Sequence, residues 1–347
     1  MKRGFWDDLN KPVIGLSPMD GVTDAAYRYI MDKYGHPSLL MTEFTPVEAL
    51  NRDVVRALEM FIFHKTKTPN IAQIYGTELD SYYTSALLVA EMGFDGLDIN
   101  MGCPDKSVSK RGAGAGLIIQ PKLAQEIVKT CKKALEDWHN GLTLEKAGVK
   151  VRMRDFISDF KKRAEITSEK RFIPVSVKTR IGFDKPMIEE WIPYLLEVEP
   201  VNISLHGRTL KQMYTGLADW EEIAKAAELA HKTETTLLGN GDVHSIEDAN
   251  EKIKKYNLDG VLIGRATYGN PWVFTGEHVS PETKLKVALE HCEAFMDLTP
   301  EHHFASLRKH LVWYAKAFEN ATDLRSKLVR AENLEQVRDI VTQQLNA

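Results

Sequence analysis

The stretch Thr236-Leu237-Leu238-Gly239-Asn240-Gly241-Asp242 is followed by a helix-like segment at 246–256 and then by Gly260-Val261-Leu262-Ile263-Gly264-Arg265. Each run is short and apolar and ends in glycine beside a polar residue. A single helix separates the two, which is the pattern of parallel βα units. Ser245, with Asp248 three residues on, supplies an N-cap and a first-turn acid for that helix. Glycine after a strand lets backbone N–H groups approach an oxyanion closely. Gly241 and Gly264 therefore mark a phosphate site, to which Arg265 adds a bidentate charged contact.

Working outward, β-rich runs recur at 13–17, 38–43, 70–75, 96–100, 175–178, 201–206, 236–240 and 260–263. Helical connections are predicted at 24–34, 79–92, 121–138, 185–197, 220–231 and 246–256. Eight βα units over roughly 250 residues predict an α/β fold of the closed (β/α)8 TIM-barrel type rather than an open doubly wound sheet. One connection is long: 139–172 carries nine Lys/Arg against five Asp/Glu, including Lys161-Lys162-Arg163, and reads as a solvated loop or short helical excursion, with contact to RNA as the alternative. After Trp272 helical periodicity takes over, with apolar residues at Leu285, Ala288, Leu289 and Cys292, then Leu307, Leu311, Tyr314, Ala315 and Phe318. Ser280-Pro281 is a natural helix start. The domains expected are a barrel at 1–275, with the charged insertion, and a helical bundle at 281–347.

Composition narrows the functional classes. Of 347 residues 43% are hydrophobic and 27% charged, which is ordinary for a globular protein. The 45 Lys/Arg against 49 Asp/Glu leave a net charge of -4, so bulk charge does not coat nucleic acid. Cys103, Cys131 and Cys292 are far apart and form no zinc or iron–sulfur spacing, so no metal is expected. A reducing cytoplasm fits this cysteine usage. Acids at Asp7 and Asp8 precede any apolar segment, and no apolar run nears the ~20 residues of a membrane span, so neither secretion nor membrane embedding is expected.

In such a barrel chemistry sits where the strands end. Those positions read Ser17-Pro18-Met19-Asp20, Thr42-Glu43, Gln73, Asn100-Met101-Gly102-Cys103, Lys178-Thr179-Arg180, His206-Gly207-Arg208, Asn240-Gly241-Asp242 and Gly264-Arg265. Lys178, enclosed among neutral groups, needs an anion or a reaction. It is either a Schiff-base lysine or a charge beside a bound flavin, with Gln73 and His206 adding hydrogen bonds. Cys131 and Cys292 fall on apolar helical faces and read as core, whereas Cys103 directly follows a strand and faces the mouth as nucleophile or proton donor. The run Gly112-Ala113-Gly114-Ala115-Gly116 lacks the spacing of a dinucleotide fingerprint and is read as the hinge of a loop closing on substrate.

Together these residues resemble the tRNA-dihydrouridine synthase family. The stretches that carry the likeness are Ser17-Pro18-Met19-Asp20-Gly21-Val22-Thr23-Asp24, Asn100-Met101-Gly102-Cys103-Pro104, Val177-Lys178-Thr179-Arg180, His206-Gly207-Arg208-Thr209, Gly239-Asn240-Gly241-Asp242 and Gly264-Arg265. Leu307-Arg308-Lys309-His310, Tyr314 and Leu324-Arg325 look like the helical domain of the bacterial B-type members. The resemblance implies an FMN-containing barrel and a helical domain that helps hold tRNA; no obligate protein partner is evident in the sequence. By position, Pro18, Met19, Gln73, Lys178, His206, Asn240, Gly241, Asp242, Gly264 and Arg265 would surround FMN. Asp20 joins them where the family more often has Ala, its carboxylate expected to point into a turn. Asn100 would touch the target base. The implied reaction takes hydride from NADPH onto FMN and then to C6 of a uracil in tRNA, while Cys103 gives the proton to C5. Arg180 or Arg208 would stabilise the developing oxyanion or contact RNA, and the buried flavin requires the uridine to leave its stack. From Pro281 onward nine Lys/Arg face ten Asp/Glu, so an RNA grip needs a one-sided arrangement such as Arg308, Lys309, Lys316 and Arg325. The alternatives are an FMN-dependent reductase of a free pyrimidine or small enone, a Schiff-base aldolase on Lys178, and a tRNA-binding factor without catalysis.

Overall fold

The computed structural model describes residues 2–167, 169–300, 302–316, 318 and 320–346. Eight parallel strands follow one another around a barrel: β1 (Val13–Leu16), β2 (Leu40–Pro46), β3 (Asn70–Tyr75), β4 (Gly96–Met101), β5 (Val175–Arg180), β6 (Asn202–His206), β7 (Thr236–Asn240) and β8 (Gly260–Ile263). They pair in the order β1-β8-β7-β6-β5-β4-β3-β2. Between β1 and β2 the ring closes through two main-chain hydrogen bonds, Ser38 N–H to the Ile14 carbonyl (2.8 Å) and Leu16 N–H to the Leu39 carbonyl (3.0 Å). The fold is a (β/α)8 barrel followed by a C-terminal helical bundle, as the repeated runs predict.

Val, Ile and Leu fill the strands because helices cover their outer faces while side chains pack inside. The lower interior is filled by Val13, Leu39, Met41, Ile71, Val201, Leu238 and Leu262, and Trp6 plugs it from a short 3-10 helix, Gly4–Asp7. Gly260 pairs with Val13 across β8 and β1, and a Cβ at Gly260 would overlap the Val13 backbone. Gly260→Ala is therefore expected to lower stability by about 3 kcal/mol through overpacking, read as a fall in the urea midpoint. A midpoint equal to wild type would show that the two strands part without cost.

Two strands run further than their apolar patterns suggest. β2 continues to Pro46 through a register shift between Met41 and Phe44, and β5 continues to Arg180. Their polar residues look like strand ends in sequence but are paired within the sheet: the Gln73 N–H donates to Thr42 Oγ1 at 2.9 Å, and Thr179 Oγ1 donates to the Met101 carbonyl at 3.0 Å.

Between β4 and β5 the chain forms helix Pro121–His139 and then a second helix, Val151–Arg163, within the charged excursion. The second helix buries Met153, Ile157 and Phe160, with Phe160 against Phe63. Its neighbourhood consumes much of the basic charge, in Lys161–Glu91 (2.7 Å), Lys170–Glu91 (3.4 Å), Arg171–Asp95 (3.0 Å) and Lys150–Asp53 (2.8 Å). Asp95 directly precedes β4, so the excursion packs where strands begin, at the end opposite the polar rim.

The C-terminal helices are Pro281–Leu298, Arg308–Tyr314, Ala321–Leu328 and Leu334–Leu345. Ser280 caps the first, accepting the Thr283 N–H. That helix lies on helix Ala25–Gly35, where Glu290 accepts from Lys33 Nζ (2.7 Å) and the Tyr34 hydroxyl (2.5 Å). A stack of three rings joins bundle to barrel. Tyr268 lies flat on Trp313 at 3.9 Å and 3°, and Trp313 lies on His310 at 4.8 Å and 17°. The periodic run ends early, because Ala315 is already the C-cap of Arg308–Tyr314 and Phe318 lies outside any helix.

Candidate active site

The strands open at their C-terminal ends into a cavity of about 1130 Å³. Pro18, Met19, Asp20, Gln73, Asn100, Cys103, Lys178, Arg180, His206, Arg208, Asn240, Gly241, Asp242, Gly264 and Arg265 all line it. Residues scattered over some 250 positions meet there because parallel strands all end at the same face.

Its floor is a hydrogen-bonded set. Lys178 Nζ donates to Asn240 Oδ1 (3.0 Å), whose amide is oriented by donation from Nδ2 to the Leu262 carbonyl (2.9 Å). Gln73 Nε2 donates to Asp98 Oδ2 (2.7 Å), and Asn100 Nδ2 donates to Gln73 Oε1 (2.9 Å). Burial, with Arg180 nearby, pulls the Lys178 ammonium down to about 8, although Asp98 opposes the shift. Burial, followed by the surrounding cations, holds the His206 imidazolium well below its ordinary range, so the ring is neutral at pH 7.

Cys103 sits on the loop after β4. Its N–H donates to Asn100 Oδ1 (2.8 Å) and its carbonyl accepts from the Ala115 N–H (3.1 Å). Burial pushes its thiol up, so the protonated form dominates at neutral pH. The glycine-rich run reads differently in three dimensions. Gly114 and Gly116 are buried in a 3-10 turn, and a Cβ on Gly114 would come within 3.0 Å of Cys103 Cβ. Gly114 permits close packing against Cys103 and Gly116 against the Ser109 carbonyl, contacts that the reading of this run as a hinge did not include.

Arg180 and Arg208 reach the cavity but are largely committed elsewhere. Arg180 donates to the carbonyls of Gly102 (2.7 Å), Thr209 (3.2 Å) and Met213 (3.3 Å), tying the Cys103 loop to the loop after β6. Arg208 donates to the Gly216 carbonyl (2.7 Å) and pairs with Asp242 (2.6 Å), which also holds Arg265 (2.8 Å). Asp242 is thus the anchor between two arginines, which hold its carboxyl below the usual range despite burial. Gly241 beside it takes φ +120°, a conformation open to glycine.

Asp20 lies in a turn, and its carboxylate also stands on the cavity lip, under Lys309. Lys309 Nζ is so near that a Cβ on Gly21 would approach it to 2.9 Å. Of the four bundle cations expected to hold RNA, Lys309 reaches the mouth, Arg308 donates to the Ala331 carbonyl (2.7 Å) within the bundle, Arg325 stands by Thr322, and Lys316 is exposed just past the end of Arg308–Tyr314. Thr42 and Glu43 do not line the cavity. β2 runs past them, so Phe44 and Pro46 take the rim, while Glu43 is buried. Burial, with Asp24 and Asp20 close by, pushes Glu43 up to about 8.

Asp98 escaped the sequence reading, as did Tyr75, Tyr214 and Tyr268 on the walls. Alternation was the available signal for Asp98, because Asp98 and Asn100 share one face of β4 and must both point inward. Among the described residues no His/Cys/Asp/Glu group has metal-binding geometry, and no helix is long and apolar enough to cross a membrane.

A (β/α)8 barrel whose polar side chains converge at its C-terminal mouth belongs to the architecture of barrel enzymes. The dihydrouridine synthase family model matches residues 15–168 and 161–346. A probable tRNA-dihydrouridine synthase of Staphylococcus epidermidis is 30% identical over 351 residues, covering 98% of this chain and 96% of its own. A probable tRNA-dihydrouridine synthase 2 of Bacillus subtilis is 29% identical over 354 residues, with 98% and 96% covered. Among solved structures, a complex of 2-naphthoyl-CoA reductase shares the fold at a TM-score of 0.51 and 9% identity, over 76% of this chain and 49% of that one. The chain belongs to the dihydrouridine synthase family.

Proposed function

We propose that the protein reduces the C5–C6 double bond of specific uridines in tRNA, with FMN as bound cofactor and NADPH as reductant, in the cytoplasm. The observation that carries this reading is the convergence of a protonated thiol, Cys103, and a buried ammonium, Lys178, on one cavity from the neighbouring strands β4 and β5.

The donor set suits a flavin nucleotide. Lys178 offers a cation to an electron-rich ring edge, with Gln73 and neutral His206 beside it. At the other end Arg208 and Arg265 around Asp242 leave one net positive charge, next to Gly241 and Gly264. A Cβ on Gly264 would find only Met19 Sδ at 3.5 Å and Ser17 Cβ at 3.8 Å, so the glycine leaves the wall open for a phosphate. Bound FMN, reduced by NADPH, would supply the hydride that reaches C6 of the uracil. Cys103 supplies the proton to C5, where negative charge builds because the alkene is conjugated to the C4 carbonyl. Asn100, on the cavity wall as the register partner of Lys178, would orient the base. Lys309 and Asp20 mark the lip over which a nucleotide turned out of its stack would pass. The curated relatives' names support tRNA as substrate.

The test incubates purified protein with NADPH and an unmodified tRNA transcript, with free uridine in parallel, and measures dihydrouridine by nucleoside mass spectrometry. Product in tRNA alone is expected. Reduction of bound flavin without product in any tRNA would overturn the reading.

A further inference from the structure

Cys103 is held by a chain of hydrogen bonds that begins at a buried carboxylate two strand positions before Asn100. Asp98 lies between its register partners Gln73 on β3 and Ser176 on β5. Ser176 Oγ donates to Asp98 Oδ1 (2.6 Å) and Gln73 Nε2 to Asp98 Oδ2 (2.7 Å). Gln73 Oε1 accepts from Asn100 Nδ2 (2.9 Å), and Asn100 Oδ1 accepts from the backbone N–H groups of Cys103 (2.8 Å) and Gly102 (3.0 Å). Asp98 and Gln73 are wholly buried, so no bulk water substitutes for a missing partner.

The two ends of this chain are chemically fixed. An ionised carboxylate only accepts, and a backbone N–H only donates. The two amides between them can each turn over, but one arrangement alone satisfies every contact. If Gln73 flips, its Oε1 faces the carboxylate and its NH2 faces the NH2 of Asn100. If Asn100 flips, its NH2 faces two backbone donors. The acceptor at Asp98 therefore dictates which end of Asn100 meets the Cys103 loop.

We propose that Asp98 is a positioning residue that, through Gln73 and Asn100, sets the direction of the hydrogen bonds holding the Cys103 loop at the cavity. Burial pushes the Asp98 carboxyl up to about 6 even against Ser176, Gln73 and Lys178, so it is ionised at neutral pH and above. Arg180 to the Gly102 carbonyl and Ala115 to the Cys103 carbonyl tie the loop at oxygens, and the Asp105 N–H meets the Cys103 sulfur, while the chain from Asp98 orders the partner of the Gly102 and Cys103 backbone N–H groups. The catalytic meaning of this placement rests on the reading of Cys103 as the acid, whereas the placement itself does not.

The test is alkylation of the purified protein by iodoacetamide across a pH series, with each cysteine followed by peptide mass spectrometry. The pH-independent limiting rate reports access to Cys103 separately from thiol acidity. Asp98→Ala is expected to raise that rate at Cys103 about tenfold, the factor that loss of one hydrogen bond to a charged group carries, while Cys131 and Cys292 stay protected. Asp98→Asn keeps an acceptor for Gln73 and should restore the wild-type rate. An unchanged Cys103 rate in Asp98→Ala overturns the proposal. So does an equal rise at all three cysteines, which reports general loosening, and so does an Asp98→Asn protein that behaves like Asp98→Ala. Should Asp98→Ala not fold, Gln73→Met breaks the chain one step on with the Asp98–Ser176 bond intact. It must give the same selective rise, and an unchanged Cys103 rate there is equally fatal. None of these readouts needs tRNA or NADPH, so failure of the proposed activity leaves them standing, and their failure leaves the activity standing.

Discussion

Cys103→Ala is expected to lower dihydrouridine formation in tRNA by about two to four orders of magnitude, the usual contribution of a positioned general acid, while bound flavin is retained and still reduced by NADPH. The expectation follows from placement and charge together. The thiol lines the cavity, burial keeps it protonated at neutral pH, and its loop is held at the backbone on both sides. Removing one sulfur from a residue that already packs closely on Gly114 disturbs the fold little. The measurement is single-turnover oxidation of pre-reduced enzyme by tRNA, with NADPH-dependent flavin reduction as the control. Turnover equal to wild type would remove Cys103 from the acid role.

Lys178→Ala should weaken flavin binding roughly ten- to a hundredfold, the range for losing a hydrogen bond to a charged group. In the wild-type protein without flavin the ammonium titrates at about 8. If the charged form is what binds, affinity is flat below that pH and falls above it by up to about tenfold per unit, a decline that Lys178→Ala must lack. Stability of the flavin-free protein moves the opposite way. The unfolded chain keeps the Lys178 proton up to an ordinary lysine value while the folded chain releases it at about 8. Between those values the unfolded state binds more protons, so this group makes stability rise with pH. Below about 8 the cost of burying the charge is fully present. Flavin titrations from pH 7 to 9 with both proteins decide the matter. Equal affinity in the variant would mean that the ammonium does not meet the cofactor.

The barrel was legible in the sequence because its strands are mostly apolar and its turns carry glycine. The rim was legible because polar residues that end apolar runs stand out. The same contrast misled where polar residues continue a strand. Thr42 and Thr179 sit inside β2 and β5 because each finds a hydrogen-bond partner on a neighbouring strand, and such partners cannot be read from the local run. Asp98 was hidden in a run that otherwise looks like core, although its spacing from Asn100 placed both inward. Arg180 and Arg208 could be assigned to the mouth, but not to the carbonyls they hold, since Gly102 and Thr209 come near Arg180 only when the loops after β4 and β6 meet, and Gly216 reaches Arg208 only when the loop after β6 folds back on itself. The charged excursion gave a count of cations without a direction. Its apolar stripe of Met153, Ile157 and Phe160 decides which way it turns, and the acids awaiting it lie at the far end of the barrel.

The way the ring closes also orders its assembly in time. The first strand made, β1, has its continuous ladder with the last, β8, from Val13–Gly260 to Leu16–Ile263, whereas on its other side, among the described residues, two main-chain bonds tie it to Ser38 and Leu39 at the entrance to β2. On a ribosome β3 to β7 can pair as they emerge, each with a neighbour already synthesised. β1 must wait until some 250 residues later for the partner that seats it, and such long-range pairing is intrinsically slow. During that interval the nascent chain carries an open sheet with unpaired edges, the state most exposed to misassembly. The helical bundle comes later still, so its packing on Ala25–Gly35 latches a ring already closed.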